Sequence, residues 1–147
     1  MHNKKAFLLS IGTLLLSPLV FSSQAIAQET VNVLLQEWRI VTDVKEVKSG
    51  PVKINVQNRG RETHEIVVLK TDLPHDQLPL LPQGGIDEAH TGTVIDEIED
   101  VREGSRQSLS LFLKPGRYVI LCNMTEMEND KLEVHYSMGM RQPLIVN

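Results

Sequence analysis

The sequence predicts an all-β domain built as a sandwich of two sheets, and three observations carry that expectation. Apolar and polar residues alternate in short runs, turn-forming residues separate the runs, and no sustained helical period occurs from Val31 onward. The first run places Val31, Val33 and Leu35 in alternation with Asn32 and Leu34 and continues to Trp38 and Ile40. After a turn at Ser49, Gly50 and Pro51, Val52, Ile54 and Val56 fall on one side of an extended segment and Lys53, Asn55 and Gln57 on the other. Asn58, Arg59, Gly60 and Arg61 form a polar turn, and Ile66 to Leu69 is a continuous apolar run suited to a strand buried on both faces. Between about 71 and 100, Pro74, Pro79, Pro82, Gly84 and Gly85 interrupt any sheet pattern, which predicts a long irregular connection with room for one helical turn. Regularity returns at Leu109, Leu111 and Leu113, passes through the turn at Pro115 and Gly116 into Tyr118 to Cys122, and ends on Pro143 to Val146. Six to eight strands are expected in all.

The N-terminal residues set the compartment. Lys4 and Lys5 precede an apolar stretch from Ala6 to Phe21, and Ala25, Ile26 and Ala27 form a small-residue cleavage site. This predicts a signal peptide over 1–27, a mature chain beginning at Gln28, and a periplasmic or secreted protein. The apolar stretch is short for a bilayer span and ends in Ser22, Ser23 and Gln24, so no stable membrane insertion is expected after cleavage. No twin arginine precedes it; export of an unfolded chain and later metal loading follow. Residues 28–147 suit one domain. They carry 13 basic and 19 acidic side chains, a formal charge of −6, which argues against nucleic acid as a partner.

Cys122 is the only cysteine, so in an exported chain it makes no internal disulfide. It is a plain buried thiol, a reactive one, half of an intermolecular bridge, or a metal ligand. Strand parity puts Tyr118, Ile120 and Cys122 on one face, with the thiol at the strand's end beside the core. His135, Met138 and Met140 follow just before the final strand, and His64 stands at the head of the apolar run after the Asn58 turn. Two imidazoles, a thiolate and a thioether brought to one end of a sandwich suit copper, because borderline nitrogen and soft sulfur donors serve both of its oxidation states. Zinc sites ordinarily lack the thioether. His75 and His90 lie among polar and acidic residues and read as solvated. The acidic residues Asp87, Glu88, Asp96, Glu97, Glu99, Asp100 and Glu103 read as a solvated face able to meet a basic partner.

Three pieces in order give the chain its resemblance to the cupredoxins, the family of plastocyanin and azurin. They are Asn58 and Gly60 leading to His64 and Glu65; Pro115, Gly116 and Tyr118 leading to Cys122 and Asn123; and His135, Tyr136, Gly139 and Met140 before a hydrophobic strand. The resemblance implies a cupredoxin-like Greek-key β-sandwich with one copper ion on His64, Cys122 and His135. It also implies Met140 as the axial ligand, with Met138 as the other thioether in reach. The implied function is type 1 (blue) copper electron transfer to a redox partner protein that meets an exposed edge of His135. It is not enzymatic, since only four histidines remain in the mature chain. Delivery or storage of copper, with Met124 and Met127 as further thioethers, is the alternative. One departure stands out: Asn123 to Val134 make a longer link between Cys122 and His135 than the family usually has, and its polar, acidic composition predicts a bulge over the surface near the metal.

The leader reading has a direct check. Mass spectrometry of the exported protein should give a chain starting at Gln28; a chain retaining Ala6 to Phe21 would contradict it.

Overall fold

The structure, a computed structural model, describes residues 27–147, so the expected leader lies outside the described residues except for Ala27. Eleven strands and two single-turn helices follow in order. They are β1 (Glu29–Gln36), β2 (Arg39–Thr42), β3 (Glu46–Val47), β4 (Gly50–Asn58), β5 (His64–Lys70), α1 (Glu88–Thr91), β6 (Thr93–Val101), β7 (Arg106–Leu113), β8 (Gly116–Leu121), β9 (Thr125–Glu128), β10 (Lys131–Val134), α2 (His135–Met138) and β11 (Arg141–Val146). One sheet has the order β2-β1-β4-β7 and the other β3-β11-β8-β5-β6, with β9 and β10 forming a separate hairpin. The pairing of β1 with β4 is parallel, and β4 with β7 antiparallel. No helix among the described residues is long and apolar enough to cross a membrane.

The alternation read from the sequence is the packing pattern. Val31, Val33 and Leu35 of β1 and Val52, Ile54 and Val56 of β4 meet Ile66 and Val68 of β5, Tyr118 and Ile120 of β8, and Leu144 of β11 in one core between the sheets. Cys122 and Met140 belong to that same core. The central strands β5 and β8 bury their other face too: Val67, Leu69, Val119 and Leu121 pack against Leu78, Ile86 and Tyr136. The connection after β5 is therefore a cover for the second sheet, which explains why the run from Ile66 to Leu69 is apolar on both sides.

That connection is shorter than expected, because Thr93–Val101 is strand β6 on the outer edge of β5. Its register against β5 shifts twice, between His64 and Ile66 and between Val68 and Leu69. Each shift breaks the period of two, so Val94, Ile95, Ile98 and Val101 do not alternate. Asp96, Glu97, Glu99 and Asp100 along this edge repel a further strand.

Asn58, fully buried at the end of β4, fixes the approach to His64. Its Nδ2 donates to the carbonyls of Glu62 (2.7 Å) and Val101 (2.8 Å), and its Oδ1 accepts the Gly60 N–H (2.8 Å). One side chain thereby holds the turn that precedes β5 against the end of β6. Asn58→Ala should lower the unfolding free energy by about 3 kcal/mol, roughly one for each bond lost. A urea-melt midpoint within error of the wild type would contradict this role.

Candidate metal centre

Three fully buried side chains meet at one end of the sandwich: His64 from the first residue of β5, Cys122 just past β8, and His135 opening α2. Their donor atoms all lie within 4.8 Å of one another. His135 Nδ1 is 3.3 Å from Cys122 Sγ and 3.3 Å from His64 Nδ1, with the two imidazoles inclined at 70°. Donors at about 2.0 to 2.3 Å from one ion sit close to this far apart from each other, so the spacing suits a single small metal ion.

The sequence reaches this arrangement through register. β5 and β8 pair with Val67 opposite Leu121, which sets Glu65 beside Cys122. The Glu65 N–H donates to Cys122 Sγ (3.4 Å), while the Asn123 N–H donates to Glu65 Oε1 (2.7 Å). Asn123 also accepts from the Ile86 N–H and donates to Glu88 Oε1 (2.7 Å), tying the cover of the second sheet to the cysteine. The C-terminal strand closes the site: the Cys122 N–H donates to the Met140 carbonyl (3.1 Å) and the Met140 N–H to that of His135 (3.1 Å). Gly139, at φ 126°, makes this turn possible, since a β-carbon there would stand 2.7 Å from the Trp38 carbonyl oxygen. Met140 is fully buried among the residues around Cys122, whereas Met138 is 38% exposed, so Met140 is the thioether on the core side.

Burial dominates the electrostatics. It pushes the Cys122 thiol up to about 12, against the N–H groups of Glu65 and Met124 that favour the thiolate and with the carboxylates of Glu65 and Glu126 that disfavour it. Burial first, and then the neighbouring His135, lower His64 to about 4. Glu65 is itself raised, chiefly by burial. In the metal-free protein Cys122 is therefore a thiol, His64 a neutral imidazole, and His64 Nε2 has no hydrogen-bond partner. A cation among these donors supplies the charge that the apolar surroundings withhold, and the donor set fits copper.

One expectation needs amendment and one is made specific. His135 has no exposed edge: its Nε2 donates to Glu126 Oε1 (3.0 Å), and the Trp38 ring stands edge-on to it with centroids 5.1 Å apart. The link from Asn123 to Val134 is an ordered hairpin, β9 and β10, closed by Asn129 and Asp130 with φ of 48° and 59°. Asn and Asp are the residues that tolerate such a two-residue turn, and this signal was available in the sequence. Glu126, Trp38 and the bond from Glu65 to Cys122 were not singled out from the sequence, because each acts through a contact between distant segments. His90 pairs with Asp87 at the surface, outside the cluster.

The sequence matches no protein-family model and no curated protein. Solved structures do resemble it. Dithionite-reduced auracyanin from the photosynthetic bacterium Roseiflexus castenholzii is 21% identical, with 80% of this chain and 96% of that one aligned at a TM-score of 0.55. The fold is that of the cupredoxins. Auracyanin A, a "blue" copper protein from the green thermophilic photosynthetic bacterium Chloroflexus aurantiacus, is 15% identical over 82% of this chain and all of its own, at a TM-score of 0.52. Rusticyanin from Thiobacillus ferrooxidans is 14% identical over 81% of this chain and 78% of its own, at 0.55. The cupredoxin fold thus accounts for the two sheets.

The depressed His64 value has a consequence for the metal-free protein. Above pH 6.5 the imidazole is neutral whether folded or unfolded; between 6.5 and about 4 only the unfolded chain takes up the proton. This contribution to stability is thus complete above 6.5 and is lost as pH falls through about 4. Urea midpoints of the metal-free protein should decline over that window, and His64→Leu should flatten the decline; an equal slope in the variant would contradict the assignment.

Proposed function

We propose that this protein is a one-electron carrier with a type 1 copper site, exported and working as a single domain over 28–147 in the periplasm or outside the cell. His64 Nδ1, Cys122 Sγ and His135 Nδ1 would hold the copper ion, with Met140 as the further, weaker sulfur donor. The observation that carries this reading is the burial of three mutually adjacent donors, two imidazole and one thiolate, against the side of the core that holds Met140. Auracyanin A, described as a "blue" copper protein, shares the fold and supports it.

When bound, copper would supply the change of oxidation state. The chain supplies everything that makes the change easy. Strand register fixes the Cys122 donor, and Asn58 and Gly139 hold the turns that carry His64 and His135, so the donor positions need not move when the charge changes. The N–H groups of Glu65 and Met124 stabilise charge on Cys122 Sγ, and full burial excludes water. The same burial favours a carrier over the alternative of copper delivery, which needs a ligand free to leave. Met124 packs against the core, while Met127 is 66% exposed on the hairpin, so neither makes a thioether-lined exit. A redox partner protein approaches over the hairpin or Trp38, since these cover His135.

Adding Cu(II) to the metal-free protein should give an intense thiolate-to-copper absorption in the visible, with release of about one proton per ion from the Cys122 thiol. Cys122→Ser should abolish the colour, and Met140→Leu should keep it and raise the reduction potential. Failure of the oxidised protein to hold copper, together with Cu(I) binding that weakens when Met124 and Met127 are replaced, would decide for delivery or storage.

A further inference from the structure

The hairpin between Cys122 and His135 carries a carboxylate to the far side of the histidine. Glu126 lies on β9 directly opposite Glu133 of β10, so both point to the same face of the hairpin. Glu126 Oε1 accepts from His135 Nε2 at 3.0 Å, and the imidazole is completely buried while the carboxylate remains 39% exposed. No other acceptor is bonded to that ring nitrogen among the described residues. A neutral imidazole has one N–H, and the acceptor it meets selects which nitrogen bears it. With the proton on Nε2, the Nδ1 lone pair faces Cys122 Sγ and His64 Nδ1.

We infer that Glu126 is a positioning residue for His135: its carboxylate fixes the tautomer that leaves Nδ1 as the donor, orients the ring, and with the hairpin closes the edge of His135 to water. The inserted segment is thus part of the metal centre's support. The inference rests on the copper-site reading for its consequence, but the bond itself belongs to the metal-free protein and is tested there.

The test compares Glu126→Ala, Glu126→Gln and Glu133→Gln with the wild type. In nitrogen-15 NMR of the metal-free protein, His135 should show a resolved Nε2 proton protected from exchange in the wild type. It should be retained in Glu126→Gln, whose amide oxygen still accepts, and lost in Glu126→Ala. Cu(II) affinity should fall about 10- to 100-fold in Glu126→Ala, the usual cost of removing a partner behind a ligating histidine, and recover most of that in Glu126→Gln. Glu133→Gln removes a carboxylate from the same face while leaving the bond at His135 Nε2 in place, and should leave both readouts at the wild-type level. An unchanged Nε2 proton in Glu126→Ala would overturn the inference, as would Glu133→Gln matching its loss of affinity, which would reduce Glu126 to a general charge effect. A wild-type protein that binds no copper would defeat the copper reading, while the NMR comparison would still decide the role of Glu126.

Discussion

The pairing of β5 with β8 is the constraint on which the candidate metal centre depends. Val67 stands opposite Leu121, and from that register Glu65 reaches Cys122 Sγ while Asn123 reaches the Glu65 carboxylate. Both strands are buried on both faces, so a slip of one residue would exchange the sets Ile66, Val68 and Val67, Leu69 between two differently shaped cores. Such a slip would also turn Cys122 away from His64. The hydrophobic packing of the second sheet and the placing of the donors are one requirement.

Around that pair, each turn that carries a candidate donor is held by a polar side chain reaching across the chain. Asn58 binds the turn before His64 to the end of β6. Asn123 binds the cysteine to the cover formed by Ile86 and Glu88. Tyr136, next to His135, accepts the Leu78 N–H (3.0 Å) and donates to the His75 carbonyl (2.9 Å), fixing the other part of that cover. Buried polar groups are costly without partners, so these satisfied networks specify a single loop arrangement. The donors then stand ready while the rest of the site remains apolar.

The burial of the donors also frames how charge is handled. Cys122 and His64 both lie in an environment that favours their neutral forms, the thiol pushed up and the imidazole pushed down. Glu126 provides the one carboxylate in hydrogen-bond contact with a donor residue among those described, and it does so from a partly exposed hairpin. The centre is thus dry on the inside with a charged support on the outside.

Much of this was legible in the sequence, for a physical reason. Alternation in β1, β4 and β7, the double-sided apolar run of β5, and the parity that sends Cys122 to the core all follow from the period of two in a strand and the need to bury one face or both. The three pieces that carry the family resemblance likewise pointed to His64, Cys122 and His135, the side chains that gather, and Met140 is buried in the core beside them. What the tertiary structure alone decided depends on contacts between distant segments. β6 escaped notice because two register shifts, set by its neighbour, erase its alternation. The closure of His135 could not be read because it needs Glu126 and Trp38, nine residues before it and at the other end of the domain, to arrive at one ring. Local sequence fixes which way a side chain points from its strand, whereas packing determines what it meets.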